Sequence, residues 1–499
     1  MNPAAASPPR ERATNIVRAL HAAGHPAFWV GGCVRDFLLG RAPGDYDIAT
    51  SALPEQIEKL FPHTVAVGRK FGVMVVVEDG WHFQVATFRA EADYRDGRRP
   101  ETVVFADARA DAERRDFTIN GLFYDPLAEK LHDWVGGEAD LRAKIIRTIG
   151  VPEERFAEDH LRLLRGVRLA AQLDFQIEPQ TFAAIQTHAS KIKTISAERV
   201  RDELLKLFSP PLTPALSPSE GARGNAAETL AKPTASVLSQ RGHDKPPLLG
   251  EGVGVRAEQT SNHSSAARGL ELLRASGLLE HVLPEIAATI ACEQSPDYHP
   301  EGSVFQHLCL MLAQLPPDAH PLLPWAVLLH DVAKPVTASR DPQTGSIHFY
   351  EHEKIGAQMA EQILERLRFP RKQIEEIATA VRFHMQFKDA PQMRKATLRR
   401  LLLRETFPLE LALHRLDCLG SHGQLDIYDF LVEQAAALAQ QPEIRPPLLT
   451  GADLMALGVK PGPAMGALLA EVREKQLADE IKTPDEARTW VQSKFKPVC

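Results

Sequence analysis

The chain has 499 residues, 44% of them hydrophobic and 25% charged, with a formal net charge of −7. That length excludes one compact core and implies two to four domains, and the charge excludes a uniformly basic surface, leaving local Arg and Lys stripes for any nucleic-acid contact. The five cysteines (Cys33, Cys292, Cys309, Cys418 and Cys499) lack zinc-site pairing and disulfide density, and no apolar run is long enough to cross a bilayer; a cytoplasmic protein is expected.

Residues 1–14 have no hydrophobic signal core and read as a disordered leader. A short helix is expected over 15–24, then a strand from Ala27 to Val30 that ends in Gly31-Gly32. A second short helix closes at FLLG, and GDYDIAT supplies the next strand. The stretch VMVVVEDGWHFQVATFR alternates and turns at Asp79-Gly80, a hairpin signal. From about Pro152 to Phe208 apolar residues recur at helical spacing. Residues 209–264 are rich in Pro, Gly, Ser and Ala and cannot bury enough surface to offset their ordering entropy. They read as a disordered insertion, after which RGLELLRASGLLEHVLPEI resumes helical periodicity over 265–290. A further helical region holds most of the histidines over 291–425, and a helical tail follows over 426–499.

Three constellations carry chemistry. The first is GGCVRDFLLGRAPGDYDIAT, residues 31–50. Glycines let the backbone turn tightly and let a phosphate approach its N–H groups. Arg35 follows on the next helix, where a guanidinium can hold the same phosphate. Asp45 and Asp47, two apart on a strand, direct both carboxylates to one face, a geometry suited to Mg²⁺. A bare Asp-x-Asp would be an ordinary strand end; the glycine turn, the arginine and the intervening helix give it meaning.

This stretch resembles the catalytic signature of the polymerase-β-type nucleotidyltransferase superfamily, and within it the bacterial CCA-adding enzyme and poly(A) polymerase family. The resemblance continues through VGRKFGVMVV, FRAEADYRDGRRPETVVF, RRDFTINGLFYDP, DWVGGEADLRAKIIRTIG, AEDHLRLLRGVRLAAQLDF and ERVRDELLKLF, covering residues 15–208. It implies an α+β palm over 15–150 and a nucleotide-binding helical neck over 151–208, ahead of mostly helical further domains. It also implies that Asp45 and Asp47 bind catalytic Mg²⁺, that Gly32 and Arg35 contact the nucleotide triphosphate, and that Arg115 and Asp116 lie near its sugar and phosphates. Many relatives carry a strand glutamate where this chain has Gln84, so a third carboxylate is not expected.

The second constellation is Asp159, Arg162, Arg165 and Arg168, spaced every three residues and expected as a stripe on one helix. A solvated charged face has the same pattern. The resemblance makes Asp159 and Arg162 the readers of the incoming base, with Arg165 and Arg168 as nucleotide contacts. A carboxylate accepts from the exocyclic amine of cytosine or adenine, and a guanidinium donates to the adjacent ring acceptors. Uracil and guanine put a carbonyl oxygen where that amine should be, a mismatch of roughly 1–3 kcal/mol per contact.

The third is the series His307, His330-Asp331, His352, His384 and Asp417. Its spacing is too long for a local zinc knuckle, so the ligands must converge from several helices. The order resembles the HD phosphohydrolase family, which implies a divalent transition metal or Mg²⁺ acting on phosphate esters. A basic stretch, MRKATLRRLLLR at 393–404, fits either an RNA backbone or a solvated helix face.

Together these features imply CCA addition to tRNA from CTP and ATP, with an HD phosphohydrolase activity as a further function and no membrane or stable protein partner. Poly(A) synthesis, addition of A alone or of CC alone, and an HD hydrolase with a non-catalytic RNA-binding head remain alternatives. VGRKFGVMVV resembles the CCA type more than poly(A) polymerases, and the FRAEADYRDGRRPETV segment argues against CC-only addition.

Overall fold

The computed structural model describes residues 9–90, 104–209, 264–295, 299, 301–441, 444 and 446–494. The expectations for the first eight residues, for residues 91–103 of the FRAEADYRDGRRPETV segment and for nearly all of the 209–264 insertion lie outside the described residues. No described helix is long and apolar enough to cross a membrane. The described chain falls into two compact units, one holding residues 9–209 and 264–382, the other running from residue 383 onward.

The first unit opens with helix α1, Pro9–Ala22. It starts inside the stretch expected to be leader because Ala13 is buried and the buried Arg12 pairs with Asp79 in the hairpin turn. Proline suits a first helical turn, where its missing N–H costs nothing. Strand β1 (Ala27–Val30) leads into α2 (Gly32–Leu38), β2 (Asp47–Thr50), α3 (Pro54–Leu60), β3 (Thr64–Gly68), β4 (Val73–Glu78) and β5 (Trp81–Thr87). The expected hairpin is present, with Asp79 and Gly80 both at positive φ (45° and 83°). A small pair, β6 (Arg89–Ala90) and β7 (Val104–Phe105), is followed by α4 (Ala108–Glu113), β8 (Phe123–Asp125), β9 (Lys130–His132) and α5 (Gly137–Ala143).

One seven-stranded mixed sheet results, in the order β3-β4-β5-β2-β1-β8-β9. Its register positions the site. Strands β1 and β2 are antiparallel with Val30 opposite Asp47, so the Gly31 turn lies beside the acidic strand end. Strands β2 and β5 are parallel with Ile48 opposite Val85, which sets Gln84 next to Asp47. On one face Ile16, Val17 and Leu20 of α1 join a core with Trp29, Ile48, Met74 and Val85, the burial that holds a half-covered sheet together.

The neck is helical, as expected: α6 (Pro152–Glu158), α7 (Leu161–Leu173), α8 (Pro179–His188) and α9 (Ala197–Phe208), with one short parallel pair, β10 (Ile145–Ile146) and β11 (Gln176–Ile177). Helix α10 (Ser265–Ala275) returns to this body. Arg268 donates to the Phe175 carbonyl at 2.6 Å, and Gly269 lies so close to Leu207 that a Cβ would stand 2.6 Å from it. Then come α11 (Leu279–Val282), α12 (Pro284–Ala288), α13 (Val304–Ala313), α14 (Leu323–Leu329), α15 (Lys334–Thr337), a hairpin of β12 (Ala338–Arg340) and β13 (Ile347–Phe349), α16 (His352–Arg366) and α17 (Arg371–Phe383).

The second unit is helical: α18 (Lys395–Leu402), α19 (Phe407–Gly420), α20 (Asp426–Ala439), α21 (Gly451–Ala456), α22 (Pro463–Leu477) and α23 (Pro484–Lys494). Of the basic residues at 393–404, Arg399 is buried and Arg404 half-buried, while Arg394, Lys395 and Arg400 stay exposed. Arg399 has the Leu477 carbonyl, Asp479 and Gln441 as partners, while Lys395 pairs with Asp479, Arg400 with Glu474 and Arg404 with Glu410. These cations join α18 to neighbouring helices of the same unit, which weakens their reading as an RNA surface.

At the first residue of α5, a Cβ on Gly137 would sit 2.1 Å from the Thr118 carbonyl oxygen. Gly137→Ala must push backbone against backbone, and is expected to lower stability by about 1–3 kcal/mol. A denaturation midpoint equal to that of the parent would contradict the close approach.

Candidate active site

The motif residues meet in one cleft of about 490 Å³, whose walls include Gly31, Gly32, Arg35, Asp45, Asp47, Gln84, Arg115, Asp116, Asp159, Arg162, Arg165 and Arg168. The glycine turn has a specific cause. Gly31 adopts φ 74°, and a Cβ there would lie 3.1 Å from the Arg115 guanidinium, so a side chain is excluded on both counts. Gly32 then opens α2, which carries Arg35 into the cleft. Arg35 donates to the Asn120 side-chain oxygen at 2.9 Å and pairs with Asp36 at 2.8 Å.

Strand β2 starts at Asp47, so Asp45 sits just ahead of it instead of within it. Both residues nevertheless line the cleft. Burial, reinforced by Asp45, pushes the Asp47 carboxyl up to about 6 despite the opposing charge of Arg115. The other carboxylates around the cleft are balanced. Burial would raise Asp111, but Arg115 and Arg114 outweigh it and hold the group below its ordinary value. Burial would likewise raise Asp116, yet Arg165, Asn120 and the Phe117 N–H carry it far below the usual range. Glu203 pairs with Arg168 at 2.6 Å. In a cleft full of guanidinium groups, the Asp45–Asp47 pair is thus the one whose charge the protein leaves poorly offset. A divalent cation with oxygen ligands fits that donor set. Gln84 lines the same cleft beside Asp47 and brings no charge.

The neck side departs from the expected single stripe. Asp159 caps the end of α6 in extended conformation (φ −149°, ψ 103°) and is not on the helix of the three arginines. Its Oδ1 accepts from the Leu161 N–H at 3.0 Å and its Oδ2 from Arg199 at 2.7 Å. A side chain that binds nearby backbone N–H groups favours a helix boundary over a helix interior, so the three-residue spacing across residue 159 misleads. Arg162 pairs with Glu158 and donates to the Arg155 carbonyl at 2.9 Å. Arg165 meets Asp116 at 2.6 Å, and Arg168 also reaches Gln172 at 2.9 Å. Asn120, Asp111, Arg114, Glu158, Arg199 and Glu203 are parts of the site to which sequence reading gave no role. The motifs RRDFTING and ERVRDELL contain four of them, but only their partners reveal what they do.

A second constellation lies further along the first unit. The ring centroids of His307 and His330 are 5.5 Å apart. His330 Nδ1 lies 2.8 Å from the Val327 carbonyl oxygen and His352 Nδ1 lies 2.9 Å from that of Phe349. Donation to those carbonyls leaves Nε2 as the lone-pair nitrogen of each ring. Both Nε2 atoms approach the buried Asp331 carboxylate, at 3.1 Å and 3.5 Å. Lys334 reaches the same carboxylate at 2.7 Å. Burial would raise Asp331, but His330, Lys334 and His352 hold it well below its ordinary value. Ligand atoms of His307, His330 and Asp331 all fall within 4.8 Å of one another, a spacing that suits one divalent ion. His384 and Asp417 belong to the second unit: His384 is buried at its start and Asp417 lies on α19.

Comparison with known proteins matches this layout in order. Residues 27–147 match the poly A polymerase head domain, residues 174–212 the probable RNA and SrmB-binding site of polymerase A, and residues 303–419 the HD domain. The chain thus carries these three domains in sequence. It is 46% identical over 205 residues to the CCA-adding enzyme of Geobacillus kaustophilus (strain HTA426), covering 41% of this chain and 50% of the relative. It is 46% identical over 199 residues to that of Staphylococcus aureus (strain MRSA252), covering 40% and 50%. The matched region therefore spans about half the length of these relatives. In fold, the chain resembles the Bacillus stearothermophilus CCA-adding enzyme crystallised with CTP (TM-score 0.65, 24% identity, 98% of both chains covered). It also resembles the Thermotoga maritima enzyme complexed with tRNA_CCA (TM-score 0.51, 17% identity, 98% and 97% covered). Divalent metals are used by the nucleotidyltransferase and HD families alike.

The charge state of Asp47 yields a pH test. Its carboxyl keeps a proton up to about pH 6, so a divalent cation bound there would have to displace that proton below this pH. Apparent affinity for a divalent cation, followed by calorimetry, is expected to fall between pH 7 and pH 5, where an ordinary carboxylate would hold it to about pH 4. Asp45→Asn should move the fall to lower pH, since it removes one of the two influences that raise Asp47.

Proposed function

We propose that this protein is a template-independent tRNA nucleotidyltransferase that adds CCA to tRNA 3′ ends from CTP and ATP and releases pyrophosphate. The observation that carries the reading is the shared cleft: an acidic pair with poorly offset charge, a glycine turn and a wall of neck arginines. The resemblance of its motifs to CCA-adding enzymes supports the choice of substrate.

The RNA 3′-hydroxyl oxygen bonds to the α-phosphorus of the nucleotide, the bond to the bridging β-phosphate oxygen breaks, and pyrophosphate leaves. Asp45 and Asp47 hold Mg²⁺, which when bound polarises the attacking hydroxyl and offsets charge on the leaving group. The Gly32 N–H and Arg35 hold the triphosphate, and Asn120 and Asp36 orient that guanidinium. Arg115 and Asp116 lie beside the sugar and phosphates, and Arg165 and Arg168 contact the nucleotide from the neck. Asp159 and Arg162 read the base edge. Before nucleotide binds they are occupied by Arg199 and Glu158, so the correct base exchanges one set of polar partners for another instead of filling an unpaired site.

The same reading gives the HD centre a divalent ion, a transition metal or Mg²⁺, held by His307, His330, Asp331 and His352, and a phosphate-ester substrate. The free thiols of Cys33, Cys292, Cys309 and Cys418 support a reducing, cytoplasmic setting.

The deciding experiment incubates tRNA ending before CCA with each nucleotide, singly and together, and sequences the products. C, C and then A is the expected order; a long A tail would select poly(A) polymerase instead. Asp47→Asn should reduce incorporation at least about 100-fold. Arg162→Ala should keep some transfer but lose about 1–3 kcal/mol of discrimination against UTP and GTP. Unchanged selectivity in that variant would remove Arg162 from base reading.

A further inference from the structure

A second group of metal-ligating side chains adjoins the HD centre. The ligand atoms of His299, Glu301 and His307 lie within 4.8 Å of one another, and neither His299 nor Glu301 belongs to the His/Asp series read from the sequence. Glu301 Oε1 lies 2.7 Å from His307 Nδ1 and 2.9 Å from His299 Nδ1. Its other oxygen is buried and has no hydrogen-bond donor among the described residues. The carboxylate is therefore a strong acceptor, with both imidazoles sharing one oxygen.

The turn that carries Glu301 is rigid. Gly302 adopts φ 107°, and a Cβ there would lie 2.5 Å from the Gln306 side-chain oxygen. That oxygen accepts from the Ser303 N–H at 2.9 Å, and the Ser303 hydroxyl accepts from the Gln306 N–H at 3.3 Å. This reciprocal cap fixes the start of α13, so Glu301 and His307 are held on one short, braced segment.

We propose that Glu301 is the positioning carboxylate of the HD metal centre, an inference that rests on the reading of that centre as a metal site. The carboxylate oxygen 2.7 Å from Nδ1 favours the proton on that nitrogen and leaves Nε2 as the lone-pair nitrogen, a part that the Val327 and Phe349 carbonyls play for His330 and His352. A carboxylate does more than a carbonyl: its charge raises the basicity of the ring and strengthens the metal bond. His299 holds the carboxylate from its other side.

The test uses the full-length protein, stripped of metal and titrated with Co²⁺, following visible absorption and bound metal by equilibrium dialysis. The part of the signal lost in Asp331→Asn defines the HD site. Glu301→Gln is expected to weaken Co²⁺ binding there about 10–100-fold while band positions stay those of the parent, because no ligand is removed. Glu301→Asp should recover part of the loss, and Gly302→Ala, which disturbs the turn without touching a ligand, should also weaken binding. Affinity within twofold of the parent in Glu301→Gln would overturn the proposal, and so would altered bands, which would make Glu301 a ligand. Should Glu301→Gln fail to fold, Glu301→Asp and Gly302→Ala decide, and parental affinity in both would overturn it. Absence of an Asp331-dependent signal in the parent protein would instead overturn the metal reading of the centre, and this proposal with it.

Discussion

The ion pair of the buried Asp116 with the half-exposed Arg165 is what makes one site out of two pieces of chain. Asp116 belongs to the sheet-bearing head and Arg165 to the first long helix of the neck, and they meet at 2.6 Å. The carboxylate also accepts from the Asn120 side chain and the Phe117 N–H, and the guanidinium lies 3.7 Å from Glu203. Burying a carboxylate is expensive unless its oxygens are satisfied, and those of Asp116 are. Through Asn120 the same network reaches Arg35, and through Glu203 it reaches Arg168. A chain of polar contacts thus runs from the helix behind the glycine turn to the far end of the neck arginines.

Against that background the charge pattern of the cleft becomes informative. Asp36, Asp111, Asp116, Asp159, Glu158 and Glu203 each have an arginine partner. Asp45 and Asp47 line the cleft without an ion pair of that kind among the described residues, and burial together with the Asp45 charge raises the proton affinity of Asp47. Six paired carboxylates hold arginines in place. A cleft that mixes strong positive charge with one acidic corner suits a polyanionic ligand accompanied by a divalent cation better than a neutral one.

The HD centre uses the same economy in another form. His330 and His352 are oriented by backbone carbonyls, so that their Nε2 atoms approach Asp331, while Glu301 stands beside His307 Nδ1. Neighbouring backbone and side chains decide which nitrogen of these imidazoles is left to bind a further partner.

Much of this was legible in the amino-acid order because it depends on neighbours in sequence. The glycine turn, the acidic strand end, the hairpin at Asp79-Gly80 and the helical neck follow from local spacing and conformational preference. The residue types that line the nucleotide cleft, and the first-unit histidines and aspartate of the second centre, were visible for the same reason. What the sequence could not supply was the pairing. Asp159 leaves the arginine helix because its carboxylate caps the Leu161 N–H, an option that three-residue spacing does not reveal. Arg199, Glu203 and Asn120 become site residues only through partners far away in the chain, and Arg399 becomes a core residue because Leu477, Asp479 and Gln441 close around it. Helix α1 extends into the presumed leader because Arg12 finds Asp79. Local pattern sets which groups are available, but the ionic and hydrogen-bonding state of each depends on what folding brings within about 3 Å, and that long-range approach belongs to the tertiary structure alone.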